Sequence, residues 1–300
     1  MNSTRPFISI IVPVLNERLL LPQFLSALRR IGGGLEIIVV DGGSSDGSWQ
    51  IAESLADQVI GARRGRASQM NAGAEVAQGE ALWFLHADST PHTGSVARIA
   101  NALASPNVMG GCFRLHYPRP ELIYRVSDLL GNMGVTLFGF GLGDHGIFCR
   151  RDAFVSVRGY PDVPILEDAE LYRKLSRLGA MHQIDAEIIG DPRTFEKCGS
   201  YVTTGVYFVI LALYVVGVSI ARLNRIYRGF HAWRSNLRVT APSLRAIPVQ
   251  IGKDRRSGSP VRDRTVRVRP QRLDVLSVES AEGGFNGRAE PGYAVTNGPT

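Results

Sequence analysis

The chain opens with an apolar run, Phe7 to Val14, rich in Ile and Val, which predicts a buried strand. Asn16 is placed to cap a helix carrying Leu20, Phe24, Leu25 and Leu28 on one face, and Gly32-Gly33-Gly34 ends it. The alternation then repeats. Leu35 to Val40 reads as a second buried strand closed by Asp41-Gly42-Gly43, with Asp46 capping the next helix. Gln58 to Gly61 is a short third strand, and Ala81 to Leu85 a fourth that ends at His86-Ala87-Asp88. Continuous apolar strands separated by helices predict an α/β fold with a parallel sheet covered on both faces. Ligands of such sheets lie at the carboxyl ends of the strands. The polar clusters Asn16-Glu17, Asp41 to Asp46 and His86-Ala87-Asp88 fall at those ends.

The pattern changes from about Asn107. Val108 to Tyr117 predicts a longer strand, Glu121 to Leu137 a helix, and Gly139 to Gly146 a glycine-rich loop. Glu167 to Leu178 predicts a helix with Leu171, Leu175 and Leu178 on one face, and Ala180 to Ile189 a last strand. Tyr201 to Ala221 holds 21 residues without a charge, long enough to span a bilayer. Gly217-Val218-Ser219 interrupts the run, however, and Thr203, Thr204 and Gly205 weaken its start. The next stretch sets Ile220, Leu223, Ile226, Tyr227, Phe230 and Trp233 at helical spacing among Arg222, Arg225, Arg228 and Arg234. This is the pattern of a helix lying in a membrane interface. A surface-lying hairpin is therefore favoured over a span, and a helix packed on the body of the protein is the plainer alternative. Residues 241–300, rich in Pro, Gly, Ser and Arg without periodicity, are expected to be disordered.

Charge sharpens this division. The net charge is +7 over 300 residues, with six arginines and no acid from Arg222 to Arg245. Eight more basic residues lie from Lys253 to Arg272. A basic end on a balanced body points to a membrane surface carrying anionic lipid. Nucleic acid is not expected, because no recognised nucleic-acid motif accompanies the charge. Cys112, Cys149 and Cys198 are far apart and odd in number, which argues for reduced thiols in the cytoplasm and against a zinc site. The opening apolar run is short, contains Pro13 and lacks a cleavage pattern, so it does not read as a signal peptide.

Four clusters carry candidate chemistry. In Asp41-Gly42-Gly43-Ser44-Ser45-Asp46-Gly47 a strand ends in a carboxylate able to bond a base or ribose, or simply to make a strand–turn–helix corner. Arg63-Arg64-Gly65-Arg66, with Gln69, Asn71 and Gly73 behind it, suits a diphosphate at a helix start; a solvated basic turn is the plain reading. His86 and Asp88 face one side of their strand end, where they could hold a divalent cation that bridges a diphosphate. Glu167-Asp168 opens a helix, where acids complement the dipole, and where a carboxylate in a dry site could take a hydroxyl proton. The residues alone do not say which acid is the base.

Taken together these stretches resemble the family 2 glycosyltransferases, inverting enzymes with a GT-A fold. The resemblance is carried by Ile10-Ile11-Val12-Pro13-Val14-Leu15-Asn16-Glu17, by Ile38 to Gly47, by Arg64-Gly65-Arg66-Ala67-Ser68-Gln69-Met70-Asn71-Ala72-Gly73, by Phe84-Leu85-His86-Ala87-Asp88 and by Leu166-Glu167-Asp168-Ala169-Glu170-Leu171. Five ordered motifs over about residues 7–230 make it specific. The third and fourth look like a narrower subgroup, the arsenosugar-biosynthesis glycosyltransferases. The resemblance implies a mostly parallel, Rossmann-like sheet in a catalytic domain over 1–198, with a nucleotide-sugar half (about 1–106) and an acceptor half (about 107–198). Membrane-proximal helices over 199–240 would follow. It implies that Asp41 contacts the base and that Pro13, Asn16 and Glu17 line the nucleoside pocket. Ser44, Arg64, Gln69, Asn71, His86 and Ala87 complete the nucleotide side. Asp88, with His86, would bind Mn²⁺ or Mg²⁺. Asp168 would be the general base, with Glu167 beside it and Asp144, in Gly141-Leu142-Gly143-Asp144-His145, near the acceptor. The family commonly has Asp where this chain has His86, and an aromatic motif where it has Arg193-Thr194-Phe195.

The expected activity is therefore transfer from a UDP-, GDP- or dTDP-sugar to an acceptor hydroxyl, at the cytoplasmic face of the plasma membrane. A tethered, non-catalytic nucleotide-sugar binder is the competing function, against which Asp88 and Asp168 argue. A nucleotide-dependent oxidoreductase is a poor reading, since no G-x-G-x-x-G follows the first strand.

Overall fold

The strands β1 (Ile8–Val14), β2 (Leu35–Asp41) and β4 (Ala81–Phe84) are almost wholly buried, with β3 (Gln58–Gly61) beside β2 at the sheet edge. Their parallel pairing aligns Ile8 with Leu35 and Ala81, and Ile38 with Gln58. Side chains alternate between two layers, as the strand period requires. Ile8, Ile10, Val12 and Val14 pack with Leu21, Phe24, Leu25 and Leu28 of α1 (Leu21–Ile31). Ile11, Ile38 and Val40 face the opposite layer with Met70, Phe154, Leu171 and Leu175. The Ile/Val-rich runs are thus explained by burial on both faces. A Cβ on Gly73 would stand 2.5 Å from Ile11 Cγ2, so only glycine lets α3 (Arg66–Val76) lie this close to the sheet.

This computed structural model describes residues 8–193 and 199–240, the last of these (234–240) as backbone only. The described residues fall in one compact unit. The expected disorder of 241–300, as well as Phe7, Cys198 and the Thr194-Phe195 departure, lie outside them. The remaining elements are α2 (Ser48–Leu55), β5 (Thr90–Pro91), α4 (Ser95–Leu103), β6 (Val108–His116), α5 (Leu122–Phe138), β7 (Phe148–Arg150), α6 (Arg151–Ser156), α7 (Glu167–Leu175), β8 (Ala180–Ile189), α8 (Ser200–Val215) and α9 (Ile220–Thr240).

The sheet refines one expectation. Its order is β3-β2-β1-β4-β7-β6-β8-β5, and it is mixed, with four parallel and three antiparallel pairings. β7 runs antiparallel to both β4 and β6, and β5 antiparallel to β8, while β6 and β8 are parallel. The short strands β5 and β7 are too brief to leave a hydrophobic period, yet β7 joins the two halves of the sheet. Three local expectations also change. Asn16 does not cap α1, whose first turn follows Leu20 without a side-chain cap. Asp46 bonds the Ser48 N–H, although Gly47 is the residue flanking α2. Leu178 lies past the end of α7 and is exposed, apart from buried Leu171 and Leu175.

The apolar run from Tyr201 is not one helix. It breaks at Val216-Gly217, where Gly217 adopts φ 88°, and α8 and α9 form a hairpin. No described helix is long and apolar enough to cross a membrane. One side of the hairpin packs on the body, with Ile210, Tyr214 and Leu223 against Phe140, Ile165 and Ala169. The Tyr214 hydroxyl donates to Glu170 Oε1 at 2.6 Å. Tyr201, Phe208, Val209, Val216, Ile226 and Trp233 remain exposed.

Candidate active site

The carboxyl ends of β1 and β2 are tied by side chains. Asn16 sits at φ 57°, a left-handed conformation that asparagine tolerates better than most residues. Its N–H donates to Ser44 Oγ and its Oδ1 accepts from the Ser45 N–H, each at 2.9 Å. Asp41 is buried, and its Oδ2 accepts from the Gly43 and Ser44 N–H groups at 2.8 Å. Its Oδ1 is buried without a partner. Gln69 is also buried and donates to the carbonyls of Val14 and Val40 at 2.9 and 2.8 Å, joining the two strand ends. Asn71 donates to Tyr160 O and accepts from Tyr160 N, holding a distant loop.

Beside this corner lies a cavity of about 310 Å³ lined by Pro13, Glu17, Arg64, Gln69, Ala87 and Asp88, together with Arg66 and His86. Asn16, Asp41, Ser44 and Asn71 are not in its lining. Of the predicted nucleotide residues, the first group is brought together and the second stands behind it.

A second cavity, of about 340 Å³, shares Arg66, His86 and Asp88 with the first and adds Tyr117, Asp144 and Asp168. Three elements converge here. His86 follows β4; Asp144 sits in the short 3-10 turn Gly143–His145; Glu167 and Asp168 open α7. Leu166 adopts φ 61°, costly for a side chain of its size, and this turns the chain so that α7 starts at the cavity. Gly143 is required for the approach, since a Cβ there would stand 2.6 Å from Asp168 Oδ2 and 2.9 Å from His86 Nε2.

The acids at this junction are held differently. Glu167 is buried and paired with Arg66 Nε at 2.7 Å. Asp144 accepts from His86 Nδ1 at 3.2 Å and from the Tyr117 hydroxyl at 3.3 Å. Burial would raise its pKa, but the His86 hydrogen bond and charge outweigh burial and hold it well below the usual carboxylate range. Asp144 likewise raises His86 against the opposing effect of burial. Asp168 goes the other way: burial first, then the Glu167 charge, pushes it up to about 6. Its Oδ1 makes no well-formed hydrogen bond. One acid is therefore fixed as an anion and its neighbour is poised to exchange a proton, the division that acid–base chemistry uses.

Asp88 completes the junction. Arg193 reaches it at 3.6 Å, Glu17 at 3.7 Å and Asp191 at 2.6 Å. Burial raises both Asp88 and Glu17. Among the described residues no group of three or more His, Cys, Asp or Glu side chains forms a metal cage. A half-exposed Asp88 still fits a divalent cation, because Mg²⁺ is typically held by one or two carboxylates plus substrate phosphates. His86 offers only Nε2 for this, since Nδ1 faces Asp144.

Residues 9–154 match the model for glycosyl transferase family 2. The match is a similarity over just under half of the chain. The matched segment includes Asp41, Arg66, His86, Asp88, Tyr117 and Asp144, while Glu167, Asp168 and Arg193 lie beyond it. Glycosyltransferase AglE of Haloferax volcanii is 32% identical over 145 residues, which are 44% of this chain and 48% of that protein. A PGL/p-HBAD biosynthesis glycosyltransferase of Mycobacterium tuberculosis is 36% identical over 104 residues, 32% of this chain and 41% of that protein. The chain thus spans about half the length, or less, of these curated relatives. Glucosyl-3-phosphoglycerate synthase from Mycobacterium tuberculosis, solved with Mn²⁺, UDP and glucosyl-3-phosphoglycerate, has a TM-score of 0.51 at 19% identity. The match covers 71% of this chain and 81% of that one, and it is a likeness of fold.

Two contributors were not singled out from sequence. Tyr117 just beyond the end of β6 and Asp191 just beyond β8 face the junction, by the same strand-end logic that marks His86. Of the arginines, it is Arg66 rather than Arg64 that enters both cavities.

Proposed function

We propose that this protein is an inverting glycosyltransferase, moving a sugar from a nucleoside diphosphate donor to an acceptor hydroxyl. The observation that carries the reading is Asp168: buried, pushed up to about 6, and set in a cavity that shares Arg66, His86 and Asp88 with its neighbour. The donor occupies the cavity beside Pro13, Glu17 and Arg64, with its diphosphate toward Arg66 and Arg193. The acceptor enters from the Tyr117 and Asp144 side. Asp168 takes the hydroxyl proton as the oxygen attacks the anomeric carbon in line with the departing diphosphate, which inverts that carbon. Asp144, fixed as an anion, orients His86 and the acceptor. Asp88 would hold Mn²⁺ or Mg²⁺, which when bound offsets charge on the diphosphate. The solved synthase, which carries Mn²⁺ and UDP, supports that choice.

The exposed apolar side chains of α5 and α8, with exposed Arg222, Arg225 and Arg228 on α9, support binding to the anionic cytoplasmic face of the plasma membrane. The R-G-R-A-x-Q-M-N-x-G run supports the narrower reading of arsenosugar biosynthesis.

The test is binding and slow hydrolysis across a panel of UDP-, GDP- and dTDP-sugars, with and without Mn²⁺, on the full chain. Metal-dependent binding of one donor with release of its nucleoside diphosphate is expected. Binding without release under any acceptor would leave a nucleotide-sugar binder, and no binding to any donor would overturn the reading.

A further inference from the structure

A third cavity, of about 360 Å³, opens between α5 and α8. It is not separate from the site. Tyr117, Leu142, Asp144, Tyr207 and Leu211 line both it and the cavity that contains Asp168. Its character changes along its length. Among the described residues Asp144 is its one charged lining residue, and it stands at the shared end. The rest of the wall is built from side chains such as Leu130, Met133, Phe138, Phe208 and Val215. His145 also lines it, but burial pulls that imidazole down to about 4, so the wall is uncharged at neutral pH. An apolar groove of this size falls in the range of small-molecule sites. Leaving it filled with water wastes the apolar contact that a hydrocarbon chain would make.

Water-soluble acceptors need only the polar cavity. A groove that runs from the acid–base residues into an uncharged wall matches a molecule with a polar head and an apolar tail. We infer that the groove between α5 and α8 receives the tail of the acceptor, which is a single-chain amphiphile whose hydroxyl-bearing head lies at Asp144 and Asp168. This rests on the transferase reading and names its acceptor class. The exposed stripe of α5, Leu122, Val126, Leu129, Met133 and Leu137 at helical spacing, lies on the same helix, so an acceptor held in a lipid surface would meet the groove directly.

The test uses the full chain without donor, titrated by calorimetry with methyl, hexyl, octyl and decyl β-D-glucoside, each below its micelle concentration. The head is constant and only the tail grows. Affinity should rise by up to roughly fourfold per added CH₂ until the groove is filled, as burial of hydrocarbon predicts. Ala212→Trp, which fills the groove from an exposed position on α8, should flatten the series. Leu129→Ser, on the exposed stripe but outside the lining, should leave the series intact. Nucleotide-sugar binding serves as the fold control for both variants. A flat series in the unmodified chain overturns the inference, as does a series that Leu129→Ser abolishes and Ala212→Trp does not. A flat series accompanied by concentration-dependent dimerisation assigns the face to a second copy and also overturns it. Since no donor is present, the outcome is separable from the donor panel: tail-dependent binding without nucleotide binding would sink the transferase and keep the groove.

Discussion

At the amino ends of the parallel strands, buried Glu36 accepts from Ser9 Oγ, from Gln78 N at 2.9 Å and from Gln58 Nε2 at 3.1 Å, while Ser9 Oγ accepts in turn from Gly79 N at 2.8 Å. Both carboxylate oxygens are satisfied. At the carboxyl ends, Asp41 Oδ1 and His86 Nε2, with Asp168 Oδ1 brought beside them by the start of α7, are just as buried and lack well-formed hydrogen bonds. The same sheet thus treats polar groups in opposite ways at its two ends. A satisfied buried carboxylate stabilises the fold it sits in; an unsatisfied one costs stability and persists where a ligand will pair with it. The difference teaches which acids to read as structure and which as site.

The comparison breaks most visibly at Asp168. Asp168→Asn should lower transfer by about 10²–10⁴-fold, the range of general-base catalysis, with nucleotide-sugar affinity nearly unchanged. The same substitution should raise the midpoint of thermal unfolding. The sign follows from the pKa: folding lifts Asp168 from 3.8 to about 6. The folded state therefore binds the extra proton between these values, and stability falls as pH rises through that window. At neutral pH the ionised carboxylate is a burden that asparagine removes. In the unmodified chain, transfer should fall about tenfold per pH unit below about pH 6, as Asp168 protonates. Loss of transfer together with loss of stability in Asp168→Asn would place this acid with Glu36 instead.

Asp88→Asn sharpens the same end. Its carboxylate is half exposed and faces Arg193. Removing its charge should cost transfer on the order of 10²-fold and abolish the response to Mn²⁺, with the unfolding midpoint little moved. Unchanged metal dependence, read by titrating Mn²⁺ against turnover, would remove Asp88 from the metal-binding role. Glu36→Ala tests the other end. It strands Ser9 Oγ and the Gln78 N–H in a buried place, which should cost about 2–3 kcal/mol of stability in urea unfolding. Turnover per folded molecule should not change.

Much of this was legible because it is local. The Ile/Val runs of β1 and β2 reflect two covered faces, and an acid closing each strand marks where a ligand can sit. The carboxyl-end clusters at Glu17, His86 and Asp88, and the acid pair that opens α7 at Asp168, followed from those patterns and from the family resemblance. What was not legible depends on partners far along the chain. Gln69 reads as a nucleotide contact behind three arginines, yet it bonds Val14, 55 residues away. β7 is three residues long and leaves no period, so the mixed sheet could not be foreseen. The hairpin of α8 and α9 was readable from Gly217, but its docking through Tyr214 and Glu170 was not.

Asn71 gives the smallest effect and the finest division. It stands five residues from Arg66 on α3, inside the motif that carries the resemblance, and the family pattern implies a nucleotide contact. Its amide instead makes two 2.9 Å bonds to the backbone of Tyr160, 89 residues away. A Cβ on Gly159 would stand 2.5 Å from Asn71 Oδ1, so the loop is packed hard against this side chain. Asn71→Ala removes both bonds from a half-buried site and should cost about 1–2 kcal/mol. Tyr160 lies beside Asp168; burial first, and then the Asp168 charge, raises its phenol. The variant should therefore touch turnover only through this loop: a modest drop in kcat, with donor affinity intact. A weakened donor affinity with unchanged stability would return Asn71 to the nucleotide side and show that the motif, not the hydrogen-bond pattern, was the better guide.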